Sequence, residues 1–359
     1  MSGIYVHIPY CTQKCIYCDF YSVPTRKSKK NYLLALAKEM SQRRDSLANP
    51  VKTVYFGGGT PSNLDVEEMS FVLKNLRENF DLSQCEEMTV EANPEHLTAE
   101  YLSFLLGAGF NRISIGVQSF DDKDLRILCR KHNSMQAISA IRTAREQGFE
   151  NISLDLIFNL PAQSLDKWKQ NLDTALALRP EHLSCYCLTI EEGTVLHKMI
   201  RKGLIDMPDE EVGLSQFDFT MQQTASAGYE HYEVSNYCTA DHRSKHNTAY
   251  WQGVEYMGLG ASAHSFDTRT RSWNPADIDT YIHNTECGIL PESERLSAED
   301  GYNEYIMLAL RTAEGVSREY IKKHFPEFLA HYDRQSKKVL SLMPQRWHFV
   351  NSIAVELMI

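Results

Sequence analysis

The chain has 359 residues, 43% hydrophobic and 23% charged, close to ordinary globular usage, which excludes the disordered, collagen-like and coiled-coil classes. Thirty-seven Lys and Arg against 47 Asp and Glu leave a net charge of −10, which argues against a broad nucleic-acid footprint. At roughly 150 residues per domain, the length predicts two domains or one large one with an appendage. No apolar run reaches the roughly 18 residues of a membrane span. The opening MSGIYVHIPYC lacks the basic-then-apolar layout of a signal peptide. The nine cysteines are therefore expected in a reducing, cytoplasmic compartment, as free thiols or metal ligands rather than a disulfide framework.

In chain order, the predicted strands are Gly3–Ile8, Lys52–Phe56, Glu87–Ala92, Arg112–Val117, Asn151–Phe158 and His182–Ile190. Most read as continuous apolar runs, as in a parallel sheet covered on both faces. Between them, helical spacing runs over Asn31–Arg43, Val66–Asn79, Thr98–Ala108, Ser134–Gln147 and Ser164–Leu178. Asp65, Thr98 and Ser164 are suitable caps, and Gly107, Gly109 and Gly148 fall where helices should stop. Six β-α units in series predict an α/β fold with right-handed crossovers; the pattern leaves open whether the sheet closes.

After residue 190 the rhythm changes. EEGT (191–194) leads into a helical stretch, followed by a long helix near 208–227, a strand-like YEHYEVSNY (229–237) and the polar CTADHRSKHN (238–247). Gly258, Gly260 and the small residues 261–263 suggest close backbone packing or a ligand turn. From about residue 295 the text is helical again. It ends in RWHFVNSIAVELMI, read as β-like, so the C-terminal unit is expected to be small, helical and winged-helix-like. Its basic residues are offset by acids, which disfavours nucleic-acid binding. The expected division is 1–190 for the barrel with a cluster loop at 9–20, 191–290 for an α+β extension, and 291–359 for the C-terminal unit.

Cys11, Cys15 and Cys18 form C-x3-C-x2-C directly after the first strand. Three thiolates within eight residues suit one soft metal or cluster. Structural zinc needs four ligands, usually as two separated pairs, and no partner pair follows. A cubane iron–sulfur cluster usually takes four cysteines, so three leave one iron open to a non-protein ligand. The other six cysteines are scattered and read as small buried hydrophobes; Cys185 and Cys187 share one side of a strand, which also invites a metal reading.

With these three cysteines after the first strand of a β-α repeat, the sequence resembles the radical S-adenosylmethionine (SAM) superfamily. The resemblance implies an incomplete (β/α)6 barrel, a [4Fe-4S] cluster on Cys11, Cys15 and Cys18, and SAM chelating the open iron. Reduction then cleaves SAM to methionine and a 5′-deoxyadenosyl radical. Gly57–Thr60 follow the second strand, where bare N–H groups suit the methionine carboxylate and amine. Glu91, Gln118 and Asp155 lie in or at the ends of later strands, where barrel sites are built.

Over the whole chain, YVHIPYC, GVQSF, LIFNLP and GLGASAHS resemble the oxygen-independent coproporphyrinogen III dehydrogenases and their relatives. That similarity implies Tyr5 near the cluster, Tyr17 on adenine, and SAM contacts at Gly58, Gly59, Thr60, Glu91, Gln118, Arg130, Asp155, Thr189 and His264. Two departures argue against the dehydrogenase itself. Phe20 stands where a fourth cysteine is usual, and the N-terminal extension before the first strand is short. Asn159 replaces a usual glycine. HNTAYW (246–251) matches the H-N-x-x-Y-W motif of HemW-type heme chaperones, which implies His246 on heme iron, with Asn247, Tyr250 and Trp251 beside the macrocycle. Helical spacing puts His246 and Tyr250 on one face; without the motif, His246 reads as a solvated surface residue. The preferred expectation is a heme chaperone holding a [4Fe-4S] cluster and SAM and passing heme to apo-hemoproteins such as respiratory heme proteins. A reductant or a heme donor such as bacterioferritin would assist it, without nucleic acid or a transmembrane segment but with transient membrane contact. The alternative is a coproporphyrinogen III dehydrogenase of porphyrin metabolism.

Overall fold

The computed structural model describes residues 2–24, 27–339, 342–343 and 346–359. The first half alternates strand and helix: β1 (Ser2–Ile8), α1 (Lys29–Gln42), β2 (Val51–Gly58), α2 (Val66–Asn79), β3 (Glu87–Ala92), α3 (Ala99–Gly107), β4 (Arg112–Gln118), α4 (Asp122–Ile127), α5 (Ser134–Gln147), β5 (Ile152–Phe158), α6 (Leu165–Ala177) and β6 (His182–Cys187). Local chemistry sets these boundaries. Asp65 and Glu68 form a capping box on α2, and Asn133 with Gln136 forms another on α5. Gly148 ends α5 in the left-handed conformation that glycine adopts without steric cost. The last predicted strand stops at Cys187, so Thr189 lies beyond it and is exposed.

β1 to β6 pair in parallel and in chain order. The second half extends this sheet at both ends; the sequence read one strand over 229–237 and passed over the short strands near 256–295. It comprises α7 (Val195–Arg201), α8 (Glu210–Ser226), β7 (Glu230–Glu233), β8 (Asn236–Cys238), α9 (Lys245–Trp251), β9 (Tyr256–Leu259), β10 (His264–Phe266), β11 (Thr270–Trp273), α10 (Ile278–Cys287) and β12 (Glu292–Arg295). The described strands form one sheet ordered β12-β11-β10-β9-β1-β2-β3-β4-β5-β6-β8-β7, which is not closed into a barrel. The segment 229–237 is thus a hairpin rather than a single strand, because Val234 and Ser235 turn the chain.

Residues alternate along each parallel strand. Ile4, Val6, Ile8, Val54, Phe56, Val90, Ile113, Ile115 and Leu154 belong to one buried apolar core with the covering helices. The other set, including Tyr5, Thr53, Tyr55, Thr89, Glu91, Arg112, Ser114 and Asp155, is polar and shares the opposite face, here called the lumen, where Tyr55 bonds Glu91 and Ser114 bonds Asp155. The strands are therefore not the uniformly apolar runs expected, since only one face meets a helix layer.

The C-terminal part comprises α11 (Ala298–Ala309), α12 (Arg318–His324), α13 (Leu329–Val339) and α14 (Arg346–Leu357), with its own apolar core of Tyr302, Ile306, Leu310, Ile321, Val350, Ile353 and Leu357. The final segment is helix, not the β-like piece expected of a wing. Val350, Ile353, Ala354 and Leu357 fall at helical spacing and are buried on one face.

Candidate functional site

The cysteine loop leaves the C-terminal end of β1 and is tied down by backbone bonds. Cys11 N donates to Val23 O (3.1 Å), and Val23 N donates to Pro9 O (2.7 Å). Across from it, Gly59 N donates to Ile8 O (2.9 Å) and Thr60 N to Tyr10 O (3.1 Å). Those amides hold the loop, so they are not the bare carboxylate donors the sequence suggested; the Gly58 amide bonds the Glu91 carboxylate. Glycine is required here for space. A Cβ at Gly57 would meet Tyr5, Tyr55 and Glu91 at 3.0–3.1 Å, and one at Gly58, whose φ is +105°, would press into the His7 ring.

All three loop cysteines are free and partly exposed. The Thr60 hydroxyl reaches Cys11 Sγ (3.4 Å), and Arg130 Nη1 reaches Cys15 Sγ (3.5 Å). Arg130 is fixed by Asn93 Oδ1 and Gly116 O, both 2.7 Å. Burial raises the Cys11 and Cys18 thiols above their ordinary value, so binding metal there displaces protons. Among the described residues no group of three His, Cys, Asp or Glu side chains could hold one metal ion. Soft donors, a glycine cradle and a cation at Cys15 fit an anionic iron–sulfur cluster.

Tyr17 is half-buried beside Leu128 and Leu160, and burial, with Cys15 adding, raises its phenol. Glu91 accepts from Tyr55 Oη (2.8 Å), and burial raises its carboxyl to about 7. Asp155 accepts from Ser114 Oγ (3.0 Å), and burial raises it too. Gln118 ends β4 at a register shift with φ +67°, a sparsely populated conformation characteristic of functional turns. Asn159 has φ +59°, which explains how it stands in for glycine. His264 lies on β10 with its ring against Trp273 (6.1 Å), and Cys187 is exposed while Cys185 is buried.

His246 sits at the opposite end of the lumen. α9, capped by Ser244, covers the N-terminal ends of β1–β3, and its first amides donate to Glu87: Lys245 N at 2.9 Å and His246 N at 3.0 Å. His246 is 1% exposed, not a solvated surface residue, because Glu87 and the lumen wall draw the helix inward. Its Nδ1 pairs with Thr53 Oγ1 and its Nε2 with Tyr250 Oη, both at 2.8 Å, which realises the shared helix face. Its ring stacks on Tyr55 (5.1 Å), which stacks on Tyr5 (6.2 Å). Burial, with the Arg112 cation adding, lowers its pKa to about 3 and keeps the imidazole neutral, the form that ligates metal. The cysteine loop and His246 therefore face each other along β1 rather than sharing a pocket.

Sequence reasoning missed His7, Thr53, Tyr55, Glu87, Asn93 and Arg112. His7 Nε2 donates to Tyr21 O (3.0 Å) while its Nδ1 accepts from Tyr5 Oη (3.1 Å), tying β1 to the loop's return. The available signal was alternation: each lies in or beside a strand whose every second residue is polar.

A three-cysteine loop over the C-terminal ends of six parallel β-α strands defines the radical SAM class, and residues 5–175 match the radical SAM superfamily model. The heme chaperone HemW of Bacillus subtilis is 38% identical over 336 residues, covering 91% of this chain and 86% of that protein. HemW of Mycobacterium tuberculosis is 35% identical, covering 88% and 82%. The structure of coproporphyrinogen III oxidase (HemN) from Escherichia coli superimposes with a TM-score of 0.85 at 23% identity, over 99% of this chain and 89% of that one. The chain belongs to the HemW family of radical SAM proteins.

Proposed function

We infer that this chain is a heme chaperone that binds heme and passes it to apo-hemoproteins, with a [4Fe-4S] cluster and SAM as resident groups. The observation that carries the reading is likeness along nearly the whole length to proteins named heme chaperone HemW, 35–38% identical over 82–86% of each. Cys11, Cys15 and Cys18 hold the cluster, which supplies one-electron chemistry when bound. Gly58, Gly59, Thr60, Glu91, Gln118, Arg130 and Asp155 frame SAM, with Tyr5, Tyr17, Thr189 and His264 at its margins. His246 would hold heme iron through Nε2, the nitrogen that Tyr250 Oη occupies in this structure, with Asn247, Tyr250 and Trp251 beside the macrocycle.

On this reading 1–190 is the cofactor-binding unit, 191–290 carries the heme motif, and 291–359 serves docking. Acceptors are respiratory heme proteins reached by transient membrane contact from the cytoplasm, with a reductant or a bacterioferritin-type heme donor upstream. No described helix is long and apolar enough to cross a membrane. The decarboxylation alternative has only the fold likeness behind it, and Phe20, 70% exposed, offers no fourth thiolate. The test is an anaerobic hemin titration of cluster-loaded protein beside His246→Ala, followed in the Soret region. Saturation near one heme per chain that weakens in the variant supports the reading; equal, non-saturating binding by both defeats it.

A further inference from the structure

Arg112 is 1% exposed, yet its Nε and Nη1 have no hydrogen-bond partner and no carboxylate lies within ion-pair distance among the described residues. Glu91 and Asp155 feel its charge from further off in the lumen, but neither hydrogen-bonds it, and a buried guanidinium without a direct partner is costly by general expectation. Its neighbour across the ladder, Thr89, is fully buried and its Oγ1 is also unpartnered. Thr89 is in turn the register partner of Tyr55, the ring on which His246 stacks. Arg112 is close enough to depress both His246 and His182 electrostatically. The cover is unsatisfied as well, since on α9 Thr248 Oγ1 and Trp251 Nε1 are buried without partners. Lifting α9 would break the Glu87 bonds to its first amides and the Thr53 bond to His246, and it would uncover floor groups on Arg112 and Thr89 that are already unpaired.

The spacing gives the ligand its chemistry. Arg112 on β4 stands two strands from Tyr55 on β2, about 10 Å at the usual strand separation. That is the scale of the reach from the centre of a macrocycle to its propionate carboxylates. A guanidinium with a hydroxyl beside it is a carboxylate receptor. We propose that Arg112, assisted by Thr89, is the propionate-binding group of the heme site, covered by α9 in this structure and engaged when α9 lifts. The proposal rests on the heme reading and on His246 as the iron ligand.

The test compares hemin with hemin dimethyl ester, whose propionates carry no charge, by Soret titration of the full cluster-loaded chain. Wild type should bind hemin about tenfold or more tighter than the ester, as loss of a charge-assisted pair requires. Arg112→Met should bind both at the ester's level, and Arg112→Lys should restore part of the preference. Should the Arg112 variants fail to fold, Thr89→Val still reports, through a severalfold loss for hemin and none for the ester. Equal binding of hemin and ester by wild type, with His246 still required, overturns the Arg112 assignment and spares the heme reading. Non-saturating binding indifferent to His246→Ala overturns both.

Discussion

Gly59→Ala probes the junction between the second strand and the cysteine loop. A Cβ at that position would stand 2.7 Å from the Pro9 carbonyl carbon, 2.8 Å from Ile8 O and 2.9 Å from Tyr10 N, all inside the 3.4 Å at which ordinary contact begins. These are backbone atoms, so no rotamer change relieves the overlap, and β2 must move away from the loop. Overpacking of this kind costs about 1–3 kcal/mol. The separation also weakens the bonds from Gly59 N to Ile8 O and from Thr60 N to Tyr10 O, each worth about 1 kcal/mol. The expected loss is about 2–4 kcal/mol in urea unfolding of the metal-free protein, with iron content after anaerobic reconstitution falling in parallel. A variant that unfolds within about 0.5 kcal/mol of wild type and takes up its full iron would show that the glycine is not a steric requirement.

Replacing Cys15 by Ser, close in size, should leave the fold intact and abolish the sulfur-to-iron absorbance; full iron in that variant removes the cluster assignment. Glu233, 1% exposed beside the C-terminal helices, has its carboxyl raised by burial to about 7. The folded protein therefore holds this proton more tightly than the unfolded chain, so stability present below about pH 4.3 is lost as pH rises to about 7, by about 3 kcal/mol. Glu233→Gln should gain that amount relative to wild type in urea unfolding across the same interval, and a difference flat with pH defeats the argument. With SAM and reductant, the anaerobic protein should not convert coproporphyrinogen III, and multiple turnover would make the dehydrogenase reading correct.

The six β-α units were legible because apolar residues facing the helices dominate each strand, and caps such as Asp65 and Ser164 mark where helices begin. The lumen residues were harder to read. Arg112 and Thr89 matter through neighbours on other strands, and strand register is not written in any one segment. β9 to β12 are three or four residues long, too short for periodicity to register. The burial of His246 follows from Glu87, a residue 159 positions away. The last helix is a different case, since its β-branched residues favoured strand while their spacing already favoured helix, and packing decided for spacing.

β1 touches both ends of the lumen: Gly3 lies against the His246 ring, and Ile8 holds Gly59 beneath the cysteine loop. Side chains on a strand alternate between faces, so one inserted or deleted residue near its middle would turn one half of β1 over relative to the other. The lumen would then lose either Tyr5 and His7 or the Gly3 approach to His246, in exchange for aliphatic groups. The two ends are thus bound to a common reading frame within seven residues. A single substitution on β1 acts at one end of the lumen, whereas an indel there cannot spare one end while remodelling the other.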